Sequence, residues 1–135
     1  MKDFLIAGTG AIGAVVAAAL GGWDLALQTL VGFMAVDYMT GLMAAAIFKT
    51  SRKTQNGALD SVAGLKGLAK KGMMLAIVYI GFRLDSFIGA DVVRYGVIVA
   101  FMTNELISIV ENAGLMGIPL PPVVLKAIET LNKKV

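Results

Sequence analysis

Residues 8–13 read GTGAIG, a literal G-x-G-x-x-G behind a short apolar run. In a strand–turn–helix unit such glycines admit a pyrophosphate to a helix N-terminus, and an acidic residue about 20 positions on holds a ribose hydroxyl. Asp37 stands 24 positions beyond Gly13, close to that requirement. The surroundings decide against it: the following residues, AVVAAALGGW, offer no polar helix face, and no alternating series of strands and helices follows. The remaining groups able to do chemistry are polar side chains set in apolar sequence. Asp37 is followed by Tyr38 and Gly41. Farther on, Asn104, Glu105, Ser108, Glu111 and Asn112 share an arc of about 120° when wound at 100° per residue, with Arg94 on the same arc toward the other end. Cysteine and histidine are both absent, which removes disulfides, thiol nucleophiles, Cys/His zinc sites and imidazole acid–base catalysis. No catalytic residue, cofactor or metal site is expected, and the chain does not read as an enzyme.

The elements that must position these groups follow from composition. Apolar residues make up 58% of the 135-residue chain and charged residues 16%, against about 45–50% and about 25% in ordinary soluble domains. Too few polar side chains remain to cover a soluble surface, so the expected class is an all-α integral membrane protein forming a single domain over 1–135. Four transmembrane helices are expected at about 4–23, 25–48, 72–90 and 92–110, each near the length that crosses about 30 Å of hydrocarbon. The alternative is three, with the apolar block 72–110 forming one tilted span and an interfacial segment. Residues 49–71 carry Lys49, Arg52, Lys53, Lys66, Lys70 and Lys71 against Asp60 alone. That excess marks a cytoplasmic loop, and helical spacing from residue 58 onward suggests a short amphipathic helix at the headgroups, with Lys66, Lys70 and Lys71 as membrane-surface cations. The prolines of IPLPP break the chain before an amphipathic tail at 120–135. With four spans both termini lie inside, in agreement with the basic tail.

Within this frame the opening glycines acquire another use. Gly10, Ala14, Ala18 and Gly22 form one stripe along a helix, and Gly13, Ala17 and Gly21 the next. Small residues at this spacing let membrane helices approach closely; the sequence leaves open whether the partner is in the same chain or a second copy. Gly41, four residues beyond Asp37, is a further small contact position. A charge at the centre of a span costs about 2.5–3.5 kcal/mol on insertion scales, so Asp37 and Glu105 need partners, polar contacts or water. Asp85 and Arg94, on either side of a turn near residues 89–91, are a candidate ion pair.

Taken together, DYMTG, GLKGLAKKG, NELISIVEN and GIPLPPVVLKAIETL, in that order over residues 25–131, resemble the toxin secretion/phage lysis holin family. The resemblance implies a small phage or prophage protein of the bacterial inner membrane that oligomerises and opens lesions, letting an endolysin or a toxin cross during timed lysis. Asp37, Gly41, Lys70, Lys71, Asn104, Glu105, Ser108, Glu111 and Asn112 match the family pattern. The partners implied are membrane lipids of the anionic inner leaflet, further copies of the chain, an antiholin, and an endolysin or toxin acting without required contact; nucleic acid is not among them. The competing readings are a small multi-pass transporter and an accessory or antiholin-type membrane protein.

Overall fold

Two glycines and an aspartate at residues 21–24 end one apolar run and start the next, and the chain turns there. The computed structural model describes residues 1–134, and its elements are α1 (Lys2–Ala19), α2 (Leu25–Ala46), α3 (Ser61–Ile88), α4 (Val93–Leu115) and α5 (Pro122–Lys133). Asp24 caps α2 by accepting from the Leu27 N–H at 3.0 Å, as a short carboxylate at a helix start does. Asp60 caps α3 in the same way through Val62 N–H, and Gly89 ends α3 in the left-handed conformation with φ 71°. Pro122 stands at the first position of α5, where its missing N–H costs nothing.

α4 is the central element, packed along both α2 and α3. Leu27, Leu30, Val78 and Ile98 are fully buried between these three helices, with Leu20 and Met34 at their margin. α3 and α4 approach closely at Gly81. A Cβ on Gly81 would stand 3.1 Å from the Arg94 Cα and 3.2 Å from its backbone nitrogen, so any side chain here would press on the α4 backbone. α1 stands apart, with no buried residue. Over residues 10–18 its small-residue stripe is open: added side-chain carbons on Gly10 and Gly13 would meet nothing within 4 Å, Ala14 and Ala18 are exposed, and Ala17 is half-buried. The expected stripe stops there, because Gly21 and Gly22 leave the helix at positive φ and Gly21 packs against Arg94 and Phe82.

Among the described residues, three helices are long and apolar enough to cross a membrane: α1, α2 and α4. The expected boundaries change in two places. The segment 58–71 is not a separate surface helix, because α3 runs unbroken through it for 28 residues; no glycine or proline signal strong enough to stop a helix stands between Ser61 and Gly89. The connection between α2 and α3 is correspondingly shorter than 49–71. The last long helix also continues beyond residue 110 to Leu115, which keeps Glu111 and Asn112 on the helix.

The expected ion pair between Asp85 and Arg94 is replaced by two separate interactions. Asp85 accepts the backbone N–H groups of Val93 and Arg94, both at 2.9 Å, supplying acceptors to the unpaired first turn of α4. The Arg94 side chain turns the other way. It pairs with Asp24 at 2.7 Å and donates to the carbonyls of Leu20 and Gly22, so its planar fork ties the end of α1 and the cap of α2 to the start of α4.

The Arg94 guanidinium beside Asp24 holds its carboxyl below the usual range, its hydrogen bond outweighing the effect of burial. A depressed carboxylate stabilises the fold above its unfolded-state pKa, and that contribution is lost as pH falls through the lowered folded-state value. Thermal unfolding in detergent, followed against pH, is expected to show an acid-side decline that Asp24→Asn reduces. Because half of the Asp24 side chain is exposed, the difference should be small. Superimposable pH profiles would remove this pair from the stability of the fold.

Candidate functional site

Three charges from three helices meet inside the bundle. Asp37 lies nine residues before the end of α2, Lys71 ten after the start of α3 and Glu105 ten before the end of α4. At 1.5 Å per residue these are depths of about 15 Å from the same end. The Lys71 ammonium donates to Asp37 Oδ2 and to Glu105 Oε2, each at 2.7 Å. Side-chain exposure is 14% for Lys71, 5% for Asp37 and 7% for Glu105. Two carboxylates thus share one cation in a setting that gives little help from water, and each depends on that cation for neutralisation.

A second group of hydrogen bonds fixes the Asp37 carboxylate from the other side. The Asn112 amide donates to Asp37 Oδ1 at 3.0 Å, to the Asp37 carbonyl at 3.1 Å and to Thr40 Oγ1 at 2.9 Å. Asn112 is itself buried, and Gly41 leaves room for it: a Cβ there would sit 3.8 Å from the amide nitrogen. Tyr38 reaches α3 with its hydroxyl, donating to the Gly64 carbonyl at 3.3 Å. Together these contacts bind α2 to both α3 and α4 through polar groups.

The cluster borders a cavity of about 420 Å³ that opens toward the connection between α2 and α3. Asp37, Tyr38, Gly41, Lys70, Lys71, Asn104, Glu105, Ser108 and Glu111 all line it. The connection closes over this end, where Thr50 donates to the Leu115 carbonyl at 3.2 Å. Thr54 also lines the cavity, and its hydroxyl is buried without a partner among the described residues. A cavity of this kind can admit water to the margin of the ionic cluster while the apolar core beyond it stays dry.

Most of the polar residues singled out from the sequence therefore fall around one place, but in different roles. Asp37, Glu105 and Asn112 are buried and bonded, Ser108 is half-buried, and Asn104 and Glu111 are exposed at the cavity. Lys66 and Lys70 remain exposed. Lys71 is not a membrane-surface cation, because the register of α3 turns it inward to both carboxylates. Its role was hidden by the expected helix start at 72, which left it one residue outside the span. The signal for it was depth: with α3 drawn from Ser61, Lys71 falls level with Asp37 and Glu105. Gly81 and the Asp24–Arg94 pair were also missed, since both depend on how the ends of separate helices meet.

Comparison with known proteins places this arrangement. Residues 14–133 match the model of the bacteriophage holin family. The uncharacterized protein Lin0175 of Listeria innocua is 36% identical over 135 residues, covering 99% of this chain and 91% of that one. Two proteins of Clostridium perfringens are also similar: the uncharacterized protein CPE0383 is 34% identical over 84% of this chain and 80% of its own. The uncharacterized 14.9 kDa protein in the nagH 3′ region is 33% identical over 84% and 82%. No solved structure gives a significant match.

Proposed function

The chain belongs to the bacteriophage holin family, and we propose that it assembles in the bacterial inner membrane into lesions that release an endolysin or a toxin. The observation that carries this reading is the ionic cluster of Asp37, Lys71 and Glu105. In the single chain these charges are paired inside a three-helix bundle. Separation of α2, α3 and α4 would turn the same charges to water, where their hydration replaces the lost pairs. A bundle held by charges is thus one that can exchange a closed, lipid-facing form for an open form lining an aqueous opening. The polar edge formed by Asn104, Ser108 and Glu111 would extend that lining.

In this reading α3 is the fourth span. Its 28 residues reach about 42 Å, more than the hydrocarbon requires. Of its charges from residue 71 onward, Lys71 is neutralised by the two carboxylates and Asp85 is hydrogen-bonded by the α4 N–H groups. Both basic regions then face the cytoplasm. Self-association would use α1, whose Gly10, Gly13, Ala14 and Ala18 are open among the described residues. Gly10→Leu is expected to leave the fold of the single chain intact and to weaken cross-linked oligomers several-fold in membranes; undiminished cross-linking would take the stripe out of assembly.

The direct test is induction of the gene alone and with an endolysin. Abrupt loss of membrane potential is expected in both, with rapid lysis only when the endolysin is present. Continued growth with an intact potential after membrane insertion would refute the lesion-forming role and favour an accessory one.

A further inference from the structure

α5 divides cleanly by chemistry. Wound at 100° per residue, Val124, Ile128 and Leu131 fall within about 60°, while Lys126, Glu129 and Lys133 occupy the opposite side. On that side Ile128 and Leu131 are half-buried and Val124 is exposed; on its two flanks Val123 and Leu125 are exposed at 78% and 48%. Two observations say what covers it. The first is position. The bond from Thr50 to the Leu115 carbonyl puts the end of α4 beside the basic connection between α2 and α3, and α5 follows that end and packs on α4. Ile47 and Phe48, at the end of α2, expose apolar surface on this same end. The second is charge. Lys126, Lys133 and Lys134 oppose only Glu129 on the tail, and Lys49, Arg52 and Lys53 lie on the neighbouring connection. This combination of a partly open apolar side flanked by lysines fits an anionic lipid surface, with side chains among the acyl chains and ammonium groups at the phosphates.

We infer that α5 lies in the plane of the membrane and docks on anionic phospholipid headgroups of the leaflet that faces the basic connection. The surface-helix role that the sequence suggests for residues 58–71 thereby passes to α5, because α3 has absorbed that segment. The inference requires only that the chain be embedded in a membrane; it does not depend on lesion formation.

The test uses the full chain with Trp23→Phe and Val124→Trp, which leaves one tryptophan, on the α5 face. It is reconstituted into vesicles of phosphatidylcholine alone or mixed with phosphatidylglycerol, with and without brominated acyl chains. The expected result is blue-shifted emission, strongly quenched by the brominated chains in the anionic vesicles and several-fold less in the zwitterionic ones. Each lysine near an anionic surface strengthens partition about fivefold, so adding Lys126→Gln and Lys133→Gln should bring the anionic result down toward the zwitterionic one. Unshifted, unquenched emission in both lipids would overturn the proposal, as would equal quenching in both. Blue-shifted emission without quenching would also overturn it, by assigning the face to a protein contact. A variant that gave the expected quenching but no loss of membrane potential in cells would retain this inference and refute the lesion-forming role.

Discussion

Lys71→Met is expected to destabilise the folded bundle by about 3–5 kcal/mol, the usual cost of removing one partner from a buried ionic contact. Methionine fills much of the same space, so the loss is electrostatic rather than steric. Asp37 and Glu105 would be left facing the site of the missing ammonium, each nearly buried. The Asn112 amide holds only the far oxygen of Asp37 and supplies no charge. Equilibrium unfolding in mixed micelles measures the effect. The decisive comparison is the triple variant Lys71→Met, Asp37→Asn, Glu105→Gln, in which the uncompensated charges are removed together; it should recover most of the stability lost in the single variant. In cells, Lys71→Met should advance lysis, since the closed bundle is the form that it weakens, and the triple variant should delay it. A single variant as stable as the wild type would mean that the ionic cluster does not hold the helices together.

Gly81→Leu is expected to cost about 3 kcal/mol, at the upper end of what overpacking usually costs, because the atoms it would strike are backbone. The Arg94 Cα and nitrogen stand 3.1 and 3.2 Å from the first added carbon, and these atoms cannot rotate away as a side-chain tip can. The helices would have to separate, which would disturb the fork by which Arg94 holds the Leu20 and Gly22 carbonyls and Asp24. Gly81→Ala tests the mechanism with a smaller load. Alanine improves helix propensity by about 1 kcal/mol over glycine, so a net loss in Gly81→Ala would show that crowding outweighs propensity. Thermal unfolding in detergent reads both variants, and Gly10→Leu, in open surroundings, serves as the control with little expected effect. Equal stability of Gly81→Leu and Gly10→Leu would place the close α3–α4 contact outside the stability of the fold.

The two glycine sites show where reading the sequence reached and where it stopped. A four-residue spacing of small residues drew attention to α1, but Gly10, Gly13, Ala14 and Ala18 remain open and only the end of the stripe, at Gly21, is packed, by Arg94 and Phe82. Gly81 has no such repeat around it, yet it is the position that lets two backbones touch. Periodicity reports which residues share a face of one helix. It carries no information on which face meets a neighbour, and the α3–α4 approach is set by the turn after Ile88 and the capping of α4 by Asp85. The charged residues divide the same way. Asp37 and Glu105 could be singled out alone, because a carboxylate in an apolar run is costly wherever its partner lies. Lys71 and Arg94 draw other partners from the sequence, the membrane surface and Asp85, since both are long, flexible cations beside expected span boundaries. Their partners in the fold, Asp37, Glu105 and Asp24, are distant in sequence.

The sequence by itself determined that the chain is helical and suited to a membrane, that it has a basic connection, and that Asp37 and the stripe from Asn104 to Asn112 are polar groups set in apolar sequence. These properties are sums over local residues: apolar content, helical period, and charge between spans. Only the tertiary structure decided that α3 is continuous from Ser61, that Lys71 joins two carboxylates, that Arg94 serves Asp24 rather than Asp85, and that α1 remains unpacked. Each of these depends on depth and direction in three dimensions. A shift of one residue along a helix turns a side chain by 100°, enough to move a cation from the membrane surface to the centre of a bundle.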